Sequence, residues 1–84
     1  MTIEDQLRAI LRDVLGLGAE RAAAIETDTP LFGAMPELDS MAVAGLLTEI
    51  EDRLHILIED DEVGGEMLET FGGLVDFVKA KRGG

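Results

Sequence analysis

Apolar residues return at helical spacing along three stretches of the chain. Over residues 3–15, Ile3, Leu7, Ile10, Leu11 and Val14 fall on one face of a 3.6-residue repeat, which predicts an amphipathic helix. Thr2 stands where an N-cap belongs, Asp5 lies near a capping-box position, and Gly16 and Gly18 are candidate stops. The pattern is clearest over residues 40–54. There Val43, Leu46, Leu47, Ile50 and Leu54 share a face, while Met41, Gly45, Thr48 and Asp52 line the opposite one. Asp39 or Ser40 can cap this helix. Gly45 costs about 1 kcal/mol in a helix interior relative to Ala, so it either permits a close approach or is merely tolerated. A third helix is predicted over residues 71–82, with Thr70 as its N-cap and Phe71, Leu74, Val75 and Val78 on one face. Lys79, Lys81 and Arg82 occupy its last turn, where cations suit the helix dipole. Gly83-Gly84 reads as a frayed end.

The stretches between are less periodic. Ala19 to Ile25 has the composition of a helical turn. The segment after it holds both prolines, Pro30 and Pro36, so no long helix runs through residues 16–39. A connection of this length in a small domain points either to a further element within it or to function. Leu31 and Phe32 are expected to pin it to the core, with help from Leu38. His55-Ile56-Leu57-Ile58 has strand composition but no second strand to pair with, and reads as a loop that buries Ile56 and Ile58. A short helical segment is expected near residues 60–68, interrupted at Gly64-Gly65. The sum is an all-α bundle of four helices, three main and one short, with a long first loop, in a single domain spanning 1–84.

Composition narrows the function classes. Hydrophobic residues make up 46% of the 84, yet only three are aromatic, all Phe, so the core is aliphatic and leaves little room for an enclosed active site. That argues for a surface on which other proteins act, rather than an enzyme. Eighteen acidic and seven basic side chains leave a net charge of −11. Such a chain repels nucleic-acid phosphates and anionic membrane surfaces and favours partners with basic patches. Solubility alone also accounts for the charge. There is no Cys, so any thiol the protein presents is added after translation. No segment is apolar and long enough to span a membrane, the N-terminal residues lack a basic-then-apolar signal pattern, and a cytoplasmic location is the expectation. Glu59-Asp60-Asp61-Glu62 superficially suggests a calcium loop. Val63 and Thr70 stand where oxygen ligands are needed, so no metal ligands are assigned. His55, the single His, has no Ser or Cys partner in a triad pattern.

One short run carries chemistry. In Leu38-Asp39-Ser40-Met41, a Ser at the start of a helix is, on local pattern, foremost a cap. The same position sets its hydroxyl beside unpaired backbone N–H groups, where a phosphodiester would be favoured. Asp39 beside it suits recruitment of a cation or a basic partner. Placed among its neighbours, this run resembles the acyl carrier proteins, whose attachment motif is Asp-Ser-Leu at the start of the second helix. The resemblance covers nearly the whole chain. It takes in the first helix, the Pro-bearing loop, Asp39-Ser40-Met41, Leu46-Leu47, Glu49-Ile50-Glu51 and Ile58 with its acidic followers. It closes with Thr70-Phe71 ahead of Leu74-Val75-Asp76-Phe77-Val78.

The resemblance implies an acyl-carrier-like bundle, expected to be a monomer. It implies a 4′-phosphopantetheine arm, moved from coenzyme A onto Ser40 by a phosphopantetheinyl transferase. Acyl or aminoacyl cargo would ride on that arm as a thioester and be delivered to an acyl ligase, acyltransferase or synthase with a basic docking patch. The carrier itself would catalyse nothing. Asp39, Met41, Gly45, Thr48, Glu49 and Asp52 would face partners. Two departures stand out. Met41 replaces the usual Leu, conserving volume and apolar character. Ala42, Ala44 and Gly45 occupy a stretch that is usually acidic in the family, so negative charge begins only at Glu49. These departures point to a specialised carrier rather than one of fatty-acid synthesis. Residues 36–43 resemble carriers that accompany exopolysaccharide and exosortase gene clusters, and residues 46–58 resemble D-alanyl carriers. A second reading is a helical protein-interaction module that carries no arm.

Overall fold

A computed structural model describes residues 2–83; Met1, Gly84 and the side chain of Asp60 lie outside that description. Among the described residues the elements run α1 (Ile3–Leu15), α2 (Ala19–Ala23), α3 (Ser40–Leu54), a 3-10 turn (Asp60–Glu62), α4 (Gly65–Glu69) and α5 (Phe71–Gly83). The three long helices match the three periodic stretches. Two short helices flank them where one was expected: the Ala-rich turn after Gly18 is a helix in its own right, and the segment near residues 60–68 divides at Gly64. The all-α reading holds, but the long first loop is shorter than the sequence suggests because α2 takes up its beginning.

Local chemistry sets the helix ends. The Thr2 hydroxyl accepts the Asp5 N–H at 3.1 Å and starts α1. Gly16, at φ +68°, stops it in the left-handed conformation that glycine adopts without a Cβ clash. Gly18 does not end α1 but occupies the N-cap of α2. Thr70 accepts the Gly73 N–H at 3.1 Å and starts α5, as its position predicts. His55 ends α3 at φ 55°, an uncommon place for a residue with a Cβ.

The core is aliphatic around one ring. Leu7 and Leu11 of α1, Leu46 and Ile50 of α3, and Leu74 and Val78 of α5 belong to one buried cluster with the fully buried Phe71. Arg8 borders this core. Its Nε donates to the Ile25 carbonyl at 2.8 Å, and its guanidinium lies 5.2 Å from the Phe71 ring centre, so one cation ties α1 to the end of the α2 turn and to α5. Among the described residues no helix is long and apolar enough to cross a membrane.

The loop between α2 and α3 is held by backbone. Leu31 N–H donates to the Glu69 carbonyl at 3.0 Å and Phe32 N–H to the Leu68 carbonyl at 2.9 Å. In return, Phe71 N–H donates to Thr29 at 2.9 Å and Gly72 N–H to Thr27 at 2.7 Å. These four bonds clasp the loop to the α4–α5 junction around a single antiparallel bridge, Pro30 with Thr70. The Pro has no N–H to give, and the bonds fall on its neighbours instead. Leu31 is driven inward and fully buried. Phe32, the next residue, points the other way and is 50% exposed, so it does not pin the loop to the core as expected. Ile56 and Ile58 are partly buried, as the loop reading requires.

Opposite charges are paired across elements. Arg53 meets Asp13 at 2.9 Å, Lys79 meets Glu4 at 3.2 Å, Lys81 meets Glu62 at 2.8 Å, and Arg21 meets Glu37. The hydrogen bond from Arg53 holds the Asp13 carboxyl below its ordinary range, and Arg21 and Lys81 do the same for Glu37 and Glu62. Glu4 is lowered first by a backbone N–H and then by Lys79. Each pair lies at the surface and is individually weak.

Two predictions follow from this packing. A Cβ on Gly72 would meet the Thr27 carbonyl oxygen at 2.9 Å and its Cγ2 at 2.6 Å. Gly72→Ala is therefore expected to lower folding stability by about 2 kcal/mol through overpacking, read as a fall in urea midpoint. Acid acts through the paired carboxyls. Their folded-state pKa values lie below the unfolded ones, so their stabilisation is complete above the ordinary carboxylate range and is lost as pH falls through the lowered values. The urea midpoint is expected to drop as pH falls below the ordinary carboxylate range, and a midpoint that stays constant there contradicts the assignment.

Candidate functional site

The clasped loop delivers Leu38-Asp39-Ser40 to the start of α3. Leu38 is buried and anchors the last turn of the loop. Arg21 of α2 grips both carboxylate oxygens of Glu37 just before it. The chain therefore reaches Ser40 from a backbone fixed on one side by apolar burial and on the other by a two-pronged ion pair.

The division of labour at the helix start is specific. Asp39, in extended conformation, accepts the Ala42 N–H through Oδ1 at 2.8 Å and is the N-cap of α3. Ser40 is thus the first helical residue and is relieved of the capping role. It is exposed, and no hydrogen bond among the described residues engages its hydroxyl. The N–H groups of Ser40 and Met41 also find no acceptor there. A free hydroxyl, two free N–H groups and the positive end of a fifteen-residue helix fit a phosphodiester on Ser40. The first turn of α3 contains no acidic residue to oppose it.

Two grooves open at Ser40. One, of about 300 Å³, is lined by Phe32, Ser40, Val43, Val63, Gly64 and Leu68, with no charged side chain. The other, of about 490 Å³, shares Ser40, Val43 and Val63 with the first and runs beside α3 past Ala44, Leu47, Thr48, Glu51 and Ile58. It is the more polar of the two. The Glu51 carboxylate accepts the Ile58 N–H at 2.9 Å, which fixes the loop that forms its far wall. The Thr48 hydroxyl donates to the Ala44 carbonyl at 3.0 Å.

The residues assigned to partners on sequence grounds do not all share one setting. Met41, Gly45, Thr48 and Asp52 form an exposed stripe along α3, with Met41 85% accessible. Asp39 is exposed at its head, with one carboxylate oxygen committed to the cap. Glu49 is drawn aside: it accepts from Arg53 at 2.9 Å, and Arg53 also binds Asp13 of α1. Phe32 was missed as a site residue. The alternation of an extended segment is the signal that could have found it, since a buried Leu31 sends its neighbour outward. Val63 and Leu68 were missed because residues 60–68 gave no firm face. Among the described residues no cluster of three or more His, Cys, Asp or Glu is placed to hold a metal ion.

A Cβ on Gly45 would touch only Val14 Cγ1, at 3.9 Å. The fold does not need that glycine. Gly45→Ala is expected to raise stability by about 0.5–1 kcal/mol in urea melts, so any loss of function in this variant would come from the exposed face of α3 and not from unfolding.

Residues 5–78 match the family model described as the phosphopantetheine attachment site. The fold aligns with a solution NMR structure of a holo acyl carrier protein from Nitrosomonas europaea at a TM-score of 0.87, with 41% sequence identity over 96% of each chain. Comparison with curated protein sequences gives no match.

Proposed function

The chain belongs to the acyl carrier protein family, whose cofactor is a covalently bound phosphopantetheine, and on that premise we propose that Ser40 is the attachment point. The observation that carries this reading is the freedom of the Ser40 hydroxyl. The local alternative, that Ser40 is merely a cap, loses its basis because Asp39 performs that task. When attached, the arm supplies a terminal thiol for a thioester, which a chain without Cys cannot offer from its own side chains.

The protein's own residues prepare the site. Asp39 orders the first turn, Leu38 and the Arg21–Glu37 pair hold the incoming chain, and the Ser40 and Met41 N–H groups, without acceptors among the described residues, are available to a phosphate on Ser40. The exposed stripe of Met41, Gly45, Thr48 and Asp52 is the surface this reading assigns to partners, headed by Asp39. Those partners are a phosphopantetheinyl transferase and an acyl ligase, acyltransferase or synthase with a basic patch, acting in the cytoplasm. Glu49 takes a lesser part, because displacing Arg53 from it would also disturb the bridge to Asp13. Smooth, uncharged residues through the first turn and a half of α3 favour a dedicated pathway over one built on strongly acidic helix recognition. The protein acts as a carrier on which enzymes work.

Incubation with a broad-specificity phosphopantetheinyl transferase and coenzyme A tests the attachment point by intact mass. The expected result is one added arm on the unaltered chain and none on Ser40→Ala. Equal addition to both would overturn the assignment. Retention of full cellular function by a folded Ser40→Ala protein would favour an arm-independent interaction module instead.

A further inference from the structure

We propose that Met41 is a reversible oxidation site: a peroxide converts its thioether to the sulfoxide, and the sulfoxide closes the face beside Ser40 to the transferase while the fold stands. The inference rests on Ser40 being the attachment point. Met41 is 85% exposed, more than any other large hydrophobic side chain described. The other described methionines are shielded. Met67 is 7% exposed, and Met35 is partly buried against the core. Gly45, one turn further along the exposed face of α3, has no side chain to cover the thioether. A Leu at position 41 would offer partners the same apolar bulk and nothing to oxidise.

The chemistry needs only a peroxide. The chain has no Cys, Trp or Tyr, so before the arm is attached its thioethers are its most readily oxidised groups. The Met41 sulfur attacks one oxygen of hydrogen peroxide with a lone pair. The O–O bond breaks, an S–O bond forms, and the second oxygen leaves as water with both protons. Sulfur loses two electrons and the peroxide gains them. A methionine sulfoxide reductase reverses the step: the oxygen departs as water while two thiols close to a disulfide. Oxidation is disruptive where a Met fills a core, and Met41 fills none. The bond that starts α3, from Ala42 N–H to Asp39, does not involve its side chain. What changes is the surface. An apolar tip becomes a strong dipole with a hydrogen-bond acceptor. A partner closing over Ser40 to reach its hydroxyl must then strip water from that oxygen, and Ala42, Ala44 and Gly45 beside it have no side-chain donor to replace the water.

The test uses the full chain before the arm is attached. It is treated with hydrogen peroxide, freed of the reagent, mapped by peptide mass, and offered to a broad-specificity phosphopantetheinyl transferase with coenzyme A. Met41 is expected to gain one oxygen ahead of Met35 and Met67. The thermal midpoint should stay within about 3 °C of the untreated value, as for an exposed change outside the core. Arm transfer, followed by intact mass, should fall about tenfold or more in kcat/KM. Methionine sulfoxide reductases of both epimer specificities, with dithiothreitol, should restore it. Met41→Leu is judged against its own untreated rate, and that ratio should not respond to peroxide. Met1 is common to both chains, so its oxidation cannot produce a difference between them. Earlier oxidation of Met35 or Met67, loss of the folded state on treatment, an undiminished rate once Met41 is oxidised, or an equal fall in Met41→Leu each overturns the proposal. An untreated chain that takes up no arm overturns the attachment reading and the proposal with it, and the untreated control separates that failure from the others.

Discussion

Four backbone hydrogen bonds between the loop at residues 27–32 and the α4–α5 junction govern much of this structure. They give a proline-bearing connection a fixed course, which neither its composition nor its length would supply. They decide that Leu31 enters the core and that Phe32 does not. The same loop ends at the buried Leu38 and at the Asp39 cap, where α3 begins with Ser40. The clasp tolerates no side chain at residue 72, because the Thr27 carbonyl must approach the backbone of α5 to within hydrogen-bonding distance. One glycine in the last helix thereby sets the geometry of a serine thirty-two positions earlier.

The charges follow a complementary logic. Cations are drawn inward along the surface to bridge elements: Arg53 to Asp13, Lys79 to Glu4, Lys81 to Glu62, Arg21 to Glu37. Acidic residues outnumber them, and the surplus is left facing solvent. Near Ser40 the balance changes. The only acidic side chain adjoining it in sequence, Asp39, has one oxygen occupied by the cap. The exposed stripe of α3 begins apolar at Met41 and becomes charged only at Asp52. A partner with a basic patch would meet its complement toward the far end of α3 and a smooth surface at the chemistry.

The long helices were legible in the sequence because each repeats one apolar stripe, and the stripe is what the core selects. Thr2, Gly16 and Thr70 were legible as caps because their chemistry is local. The choice between Asp39 and Ser40 was not, since either side chain can reach the same N–H groups and only the extended backbone at Asp39 decides it. The fate of Phe32 was not legible either. Leu31 and Phe32 are both apolar, and a non-local hydrogen bond to residue 68 determines which turns inward. The grooves beside Ser40 are composites of α3, the loop and the segment before α4. No single stretch of sequence contains one.

The clasp also bears on how the protein is made. Synthesis proceeds from the N-terminus, and a nascent chain exposes Ser40 well before it exposes the residues that hold the loop around it. Until Leu68 to Gly72 have emerged, Leu31 and Phe32 lack their carbonyl partners and Phe71 has not arrived to complete the core. The topology therefore carries an intrinsic order: the start of the C-terminal helix must be in place before Ser40, the single serine of the chain, acquires its folded setting.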